Sequence, residues 1–423
     1  MQASFHIMAH PDTTHPATPA QDAGTHRSPD IMIDTPLRPA NSALRFTEDG
    51  DAELEQHLAD TCEAIARGLK GLLPAKRLEA VLLGGGYGRG EGGVLKSPEG
   101  DRPYNDLEFY VFLLGSRHLN ERRHGRALHT FGEIMTPQAG VEVEFRIASL
   151  SELVSEPVSM FSYDLISGHR WLIGDETLLK RCARHRISEN IPLSEATRLL
   201  MNRCTGLLLA RERLERPAFT PADADFVARN VAKAQLGAGD AVLTAFGHYH
   251  WSVHQRHRRL ERLVRRERAA WLNEVYRHHA RGIAFKLHPV RSTASRTELA
   301  VLHAEVTAFC RDAWLWVENR RLGARFWSIR DYAACRKDKW PEKHRLRNLL
   351  VTGKVLGIGA IARKGRFRHP RNRVLAALPI LLWQPEMLGS QETITRLQEE
   401  LHTGARDSNG LVAAYRELWR KVN

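Results

Sequence analysis

Asp106 and Glu108 stand either side of one residue, Leu107, and follow a glycine-rich run, Leu83-Gly84-Gly85-Gly86-Tyr87-Gly88-Arg89-Gly90-Glu91-Gly92-Gly93. Side chains alternate along an extended strand, so the two carboxylates share a face. Carboxylates held side by side repel one another unless a cation lies between them. Mg²⁺ meets that need, because it takes oxygen ligands and bridges to substrate phosphates. Ordinary solvent-facing charges are the alternative, and the neighbouring Tyr110, Val111 and Phe112 argue against it by implying burial on both faces. Glycines let backbone N–H groups come close to a phosphate because no Cβ intervenes. The run is not a Walker A loop, since no Gly-Lys-Ser/Thr follows. Gly88, Gly90 and Gly93 satisfy GxGxxG, but Ser97-Pro98-Glu99-Gly100 interrupts where a dinucleotide fold needs a helix. A tight turn with no ligand is the plain alternative.

The pattern around these residues predicts the elements that must hold them. Leu54, Leu58, Cys62, Ile65 and Leu69 recur at helical spacing between Asp51 and Leu73. Leu78 to Leu83 reads as a buried strand, Lys96 to Pro103 as a loop, and Asp106 to Leu114 as a second strand. A helix from His118 to Met135 and a strand from Val141 to Ile147 follow. Beyond Gly174 strands become scarce. Helices are predicted over Leu193–Leu214, Asp223–Ala245 with continuation past Gly247, Leu260–Ala280, Leu299–Arg321, Thr393–His402 and Leu411–Val422. The expected fold is α+β: a small mixed β-sheet with helices, then a mainly α-helical region. The expected organisation is a disordered tail at 1–45, a catalytic domain at 46–184 and a helical accessory or substrate-binding region at 185–423.

A glycine turn after a strand, a strand carrying acidic–hydrophobic–acidic, and a later strand with a further acid resemble the DNA polymerase β-like nucleotidyltransferase superfamily. The resemblance covers residues 50 to 180. It puts the turn at Gly85-Gly86, with Gly86 where many members have Ser, and Arg89-Gly90-Glu91 is similar to bacterial members. It matches Asp106 and Glu108 to the paired acids, and Glu142 or Glu144 to the third. Glu144 is preferred for the Phe145 and Leu150-Ser151-Glu152-Leu153 that follow. Trp171-Leu172-Ile173-Gly174-Asp175 is similar to a strand at the sheet edge. The resemblance implies that Asp106, Glu108 and Glu144 hold two Mg²⁺ ions and that Gly85, Gly86 and Gly90 lie at the triphosphate of an NTP. Arg89 either adds charge there or pairs with Glu91.

In the helical part Lys233 and Asp240 lie two turns apart on one face. Lys233 either faces the triphosphate or pairs with Asp240. Asn202 and Arg203 interrupt an apolar helix and need partners. Lys plus Arg number 62 against 49 for Asp plus Glu, a net charge of +13. That surplus favours polyanions, or it belongs to solvated helix faces. Arg256 to Arg268 and Lys337 to Arg373 are candidate RNA-binding stretches. Five cysteines lack metal spacing and point to free thiols in a cytoplasm. No secretory signal and no apolar run long enough to span a membrane is expected.

The expected function is Mg²⁺-dependent transfer of a nucleoside monophosphate from an NTP to a small-molecule or protein hydroxyl. The alternatives are an RNA-modifying or RNA-binding protein on the same scaffold, or a toxin–antitoxin nucleotidyltransferase.

Overall fold

A computed structural model describes residues 45–335, 337–340, 344–362 and 365–422. The tail expected over residues 1–45 lies, but for Arg45, outside them. The described residues belong to one compact unit.

Helix α1 spans Ala52–Leu72 and is capped by Asp51, whose carboxylate accepts from Leu54 N at 2.8 Å. Strand β1, Leu78–Leu83, runs into a short helix α2 at Gly85–Arg89. The glycine run is therefore one turn of helix rather than an open loop. The turn requires glycine at position 88, where a Cβ would stand 2.1 Å from the Leu83 carbonyl oxygen. Gly90 ends the turn at φ +79°, a conformation that favours glycine. The small strands β2, Val94–Leu95, and β3, Arg102–Pro103, form a separate ribbon within the expected loop. The Tyr87 hydroxyl pins that segment, donating to Gly93 O at 2.9 Å and accepting from Tyr104 N at 2.8 Å.

Strand β4, Leu107–Leu113, helix α3, Arg117–Ala139, and strand β5, Val143–Ala148, come next. They are followed by helices α4, Leu150–Ser155, and α5, Met160–Ser167, and by strand β6, Arg170–Gly174. The sheet order is β5-β4-β1-β6, with β4 and β5 parallel and the other pairs antiparallel. Leu107, Phe109, Val111 and Leu113 face a core shared with α1 and α3. On the other face Tyr110 and Phe112 pack with Ala80, Leu82, Leu153 and Leu165. The Asp106–Glu108 face is thus apolar beyond Glu108 and covered by α4 and α5.

The rest of the described chain is helical, which makes the fold α+β. Helices α6, Leu193–Leu214, and α7, Pro221–Ala245, are its centre. α7 stops at Ala245 instead of continuing, because Gly247 turns the chain at φ +71°. The basic stretch expected as one helix is two: α8, Val253–Glu267, and α9, Ala270–Leu287. They are separated by Arg268 at φ +51°. The break lets Leu260 and Leu263 pack on Leu272 and Val275. Helices α10, Arg296–Leu322, α11, Ile329–Ala334, α12, Arg345–Leu356, α13, Pro370–Trp383, α14, Gln391–Leu401, and α15, Ser408–Val422, complete the fold. Among the described residues no helix is long and apolar enough to cross a membrane.

Candidate metal centre

Parallel pairing of β4 with β5 sets Glu108 directly opposite Glu144. Asp106 stands just before β4 and points to the same side. One carboxylate oxygen from each of Asp106, Glu108 and Glu144 lies within 4.8 Å of the others. Among the described residues Glu142 is not part of this group: it lies before β5, exposed, and contributes its carbonyl oxygen to Leu107 N at 2.8 Å. Burial pushes the Glu108 carboxyl above its usual range, Asp106 adds to the rise, and Arg146 and Arg89 oppose it.

The glycine turn bears on this cluster at one place. Gly85 has φ +61°, and a Cβ there would stand 3.1 Å from Glu108 Oε2. The missing side chain leaves space over the carboxylates. An all-oxygen donor set with open space beside it fits a hard cation of the Mg²⁺ kind. Gly86 is different. A Cβ there would meet the Glu91 carbonyl at 3.0 Å and Gly92 Cα at 3.2 Å, so its smallness serves the packing of the turn.

A cation already sits on the acids. Arg146 Nη2 donates to Glu144 Oε2 at 2.9 Å and lies 3.5 Å from Glu108 Oε1. Its side chain is 52% exposed, so it is free to rotate away.

Arg89 pairs with Asp164 at 3.5 Å. Glu91 accepts from Val253 N at 3.0 Å, at the start of α8, and its carbonyl accepts from Lys286 Nζ at 2.8 Å. The end of the glycine turn is thereby fastened to the helical part.

The expected alternative for Lys233, an ion pair with Asp240, does not form. Asp240 is buried against Arg256 and accepts from His279 Nε2 at 3.1 Å. Lys233 reaches water, yet burial, Arg203 and Arg229 hold its ammonium below the ordinary value, while Asp106 pulls the other way. The ammonium thus has Arg203 and Arg229 near it and lies within the field of Asp106, while Arg203 is itself buried beside Asp240 and Arg256. The sequence reading gives neither Arg203 nor Arg229 a role at the site. Arg229 and Lys233 are four apart on α7, on one face. Arg203 comes from α6 across Gly237, where a Cβ would stand 2.6 Å from its Cγ. Among the described residues none of Arg203, Arg229 and Lys233 makes an ion pair within 4 Å. The signal in the sequence was a lone Arg on an apolar helix, with a glycine on the helix packed against it.

Arg256 is also misplaced by the sequence reading. It is buried on Asp240 and belongs to the interior, not to an RNA-binding face. Arg258, Arg262 and Arg265 do share an exposed face of α8, where Arg265 pairs with Glu261. The described cysteines are free thiols. No family model, no curated protein and no solved structure matches the chain.

Proposed function

We propose that this protein transfers a nucleoside monophosphate from an NTP to a hydroxyl acceptor. The observation that carries the reading is the convergence of carboxylate oxygens of Asp106, Glu108 and Glu144 within 4.8 Å of one another, with the Lys233 ammonium in the field of Asp106. Acids alone suit a divalent cation, and cations alone suit an anion. The two together suit a metal-bound polyphosphate.

In this account Asp106, Glu108 and Glu144 hold Mg²⁺, which when bound supplies charge stabilisation at the reacting phosphoryl group. Lys233 and Arg229 bind the β- and γ-phosphates. The acceptor oxygen forms a bond to the α-phosphorus, and the bond between the α-phosphorus and the α–β bridging oxygen breaks. Pyrophosphate leaves toward these two cations. In the same account Glu144, on the sheet-edge strand β5, takes the hydroxyl proton, directly or through water. Gly85 keeps the space over Glu108 open.

The competing reading has one observation in its favour: Arg146 already neutralises Glu108 and Glu144, as in an ordinary surface ion pair. Incubation with each α-labelled NTP, Mg²⁺ and a cell extract separates the two. Metal-dependent label in a small-molecule, protein or RNA fraction, lost in Asp106→Asn, supports transfer. Absence of label from every fraction with all four NTPs favours the ion-pair reading.

A further inference from the structure

The positive surplus of the chain is concentrated in one stretch. From 343 to 385 the sequence has ten Lys or Arg and no Asp or Glu, against a net charge of +13 for the whole chain. Helix α12 lies in this stretch and faces the wrong way for an ordinary surface helix. Its polar residues Asn348 and Thr352, one turn apart, are buried. Asn348 Nδ2 donates to Phe367 O at 3.0 Å, and Thr352 Oγ1 donates to Arg368 O at 3.2 Å. Two steps along a helix turn the direction by about 200°, so Leu346 and Leu350 point the opposite way. They are 76% and 74% exposed. Gly353 continues the leucine row, and a Cβ there would stand 2.7 Å from Ile361 Cδ1. The turn of 3-10 helix at Ile358–Ala362 therefore folds back against the same row, and its Ile358 is 84% exposed. A lone exposed leucine is ordinary; an aliphatic row turned outward while the helix buries its polar residues marks a binding surface.

Charge decides what covers it. Arg345, Arg347 and Lys354 on α12 are exposed, and they flank the leucine row on its two sides. Arg368 and Arg373 are set apart, because they turn inward to Glu400. The aromatic rings of the stretch already carry cations of the protein itself. Arg345 and Arg366 stand 4.4 and 5.0 Å from the Phe367 ring centre, and Arg371 stands 4.9 Å from that of Trp340, which also stacks on His369. RNA binds such surfaces by stacking bases on open rings, and a leucine row gives a base no ring and no hydrogen bond. A second copy of the chain would bring like charge against like charge. An anionic bilayer matches both features, with phosphates for the cations and acyl chains just beneath for the aliphatic side chains.

We propose that α12 and the turn after it form a peripheral binding site for an anionic phospholipid surface. The helix lies in the plane of the headgroups, with Leu346, Leu350 and Ile358 inserted and Arg345, Arg347 and Lys354 on the phosphates. The surface is separate from the acids of β4 and β5, and the inference does not depend on the transfer reading.

Co-sedimentation of the full chain with vesicles tests this. One set is phosphatidylcholine alone, the other equal parts of phosphatidylcholine and phosphatidylglycerol. Wild type is expected to bind the mixed vesicles at least about tenfold tighter, the effect of a few cations near an anionic surface. Leu346→Gln with Leu350→Gln should weaken binding to the mixed vesicles about tenfold, through lost apolar burial. Arg345→Gln with Lys354→Gln should weaken it too and flatten its dependence on salt. All four positions are exposed and glutamine suits a helix, so thermal unfolding should match wild type. Equal binding to the two vesicle sets, or none to either, overturns the assignment. Vesicle binding that survives the leucine changes also overturns it, because it marks a charge-only surface of the kind RNA uses. A lipid-free dimer in sedimentation velocity that the leucine changes return to monomer overturns it in favour of a second copy.

Discussion

Arg146 and Glu144 sit two residues apart on one face of β5, and the guanidinium closes on the carboxylate at 2.9 Å. The same nitrogen lies 3.5 Å from Glu108. One flexible cation thus balances two of the acids assigned to metal. It holds a place that a divalent ion must take, and its exposure gives it a route out.

Arg146→Gln removes that competitor. Binding of Mn²⁺, used as a spectroscopic substitute for Mg²⁺, is expected to tighten several-fold in paramagnetic resonance titrations. Loss of the ion pairs themselves should cost under about 1 kcal/mol of stability, because the guanidinium is half in water. Weaker Mn²⁺ binding in the variant would mean that Arg146 supports the site rather than competing for it.

Gly85→Ala places a Cβ 3.1 Å from Glu108 Oε2 at a backbone φ of +61°. The strain should cost about 1 kcal/mol. Metal-dependent NTP affinity is expected to fall further than that strain explains, as read by calorimetry alongside chemical denaturation. Gly86→Ala is the contrast. Its Cβ meets backbone of Glu91 and Gly92, so stability should drop first. Equal effects on NTP affinity per unit of lost stability would remove the distinction between the two glycines.

Arg256→Met leaves Asp240 buried without its main partner. A broken buried ion pair costs about 3–5 kcal/mol. Arg258→Gln, on the exposed side of the same helix, should change stability by less than about 0.5 kcal/mol. Urea denaturation of the two variants compares them directly. A mild effect at Arg256 would contradict its placement in the interior.

Burial and the neighbouring Arg89 hold the Lys286 ammonium down to about 7 from an ordinary 10.5, against the pull of Glu91. Between those values the unfolded chain binds more protons at this site than the folded one. Stability from this group therefore rises with pH from about 7 to 10.5, and its penalty is complete below about 7. Lys286→Met removes the titration. The stability difference, wild type minus variant, is expected to grow between pH 7 and pH 9.5 in denaturant titrations, and a flat difference would count against a depressed lysine.

Much of the local structure was legible because it depends on neighbours in sequence. Alternation exposed β4 and β5, and helical spacing gave α6 its observed ends at Leu193 and Leu214. The pairing of Glu108 with Glu144 was within reach, since parity puts both on one face. The choice between Glu142 and Glu144 was not, because it depends on where β5 begins relative to β4. The surroundings of Lys233 were hidden for a similar reason. Lys233 stood out beside Asp240 on one helix face, but the partner of Asp240 is Arg256, sixteen residues on, brought back by the turn at Gly247. Arg203 gained its meaning only through the close passage over Gly237. Arg256 was read as surface because a run of arginines hides which one turns inward.

The most direct test of the central claim is calorimetric binding of each of the four NTPs to purified protein, with Mg²⁺ and with a chelator. Wild type is expected to bind at least one NTP only when Mg²⁺ is present. Asp106→Asn should lose the metal dependence, and Lys233→Met should weaken binding about tenfold, the loss of one charged phosphate contact, with both variants folded by circular dichroism. Binding of the triphosphates that is indifferent to Mg²⁺, or unaltered in Asp106→Asn and Lys233→Met, would contradict the assignment of these residues to a metal-bound triphosphate.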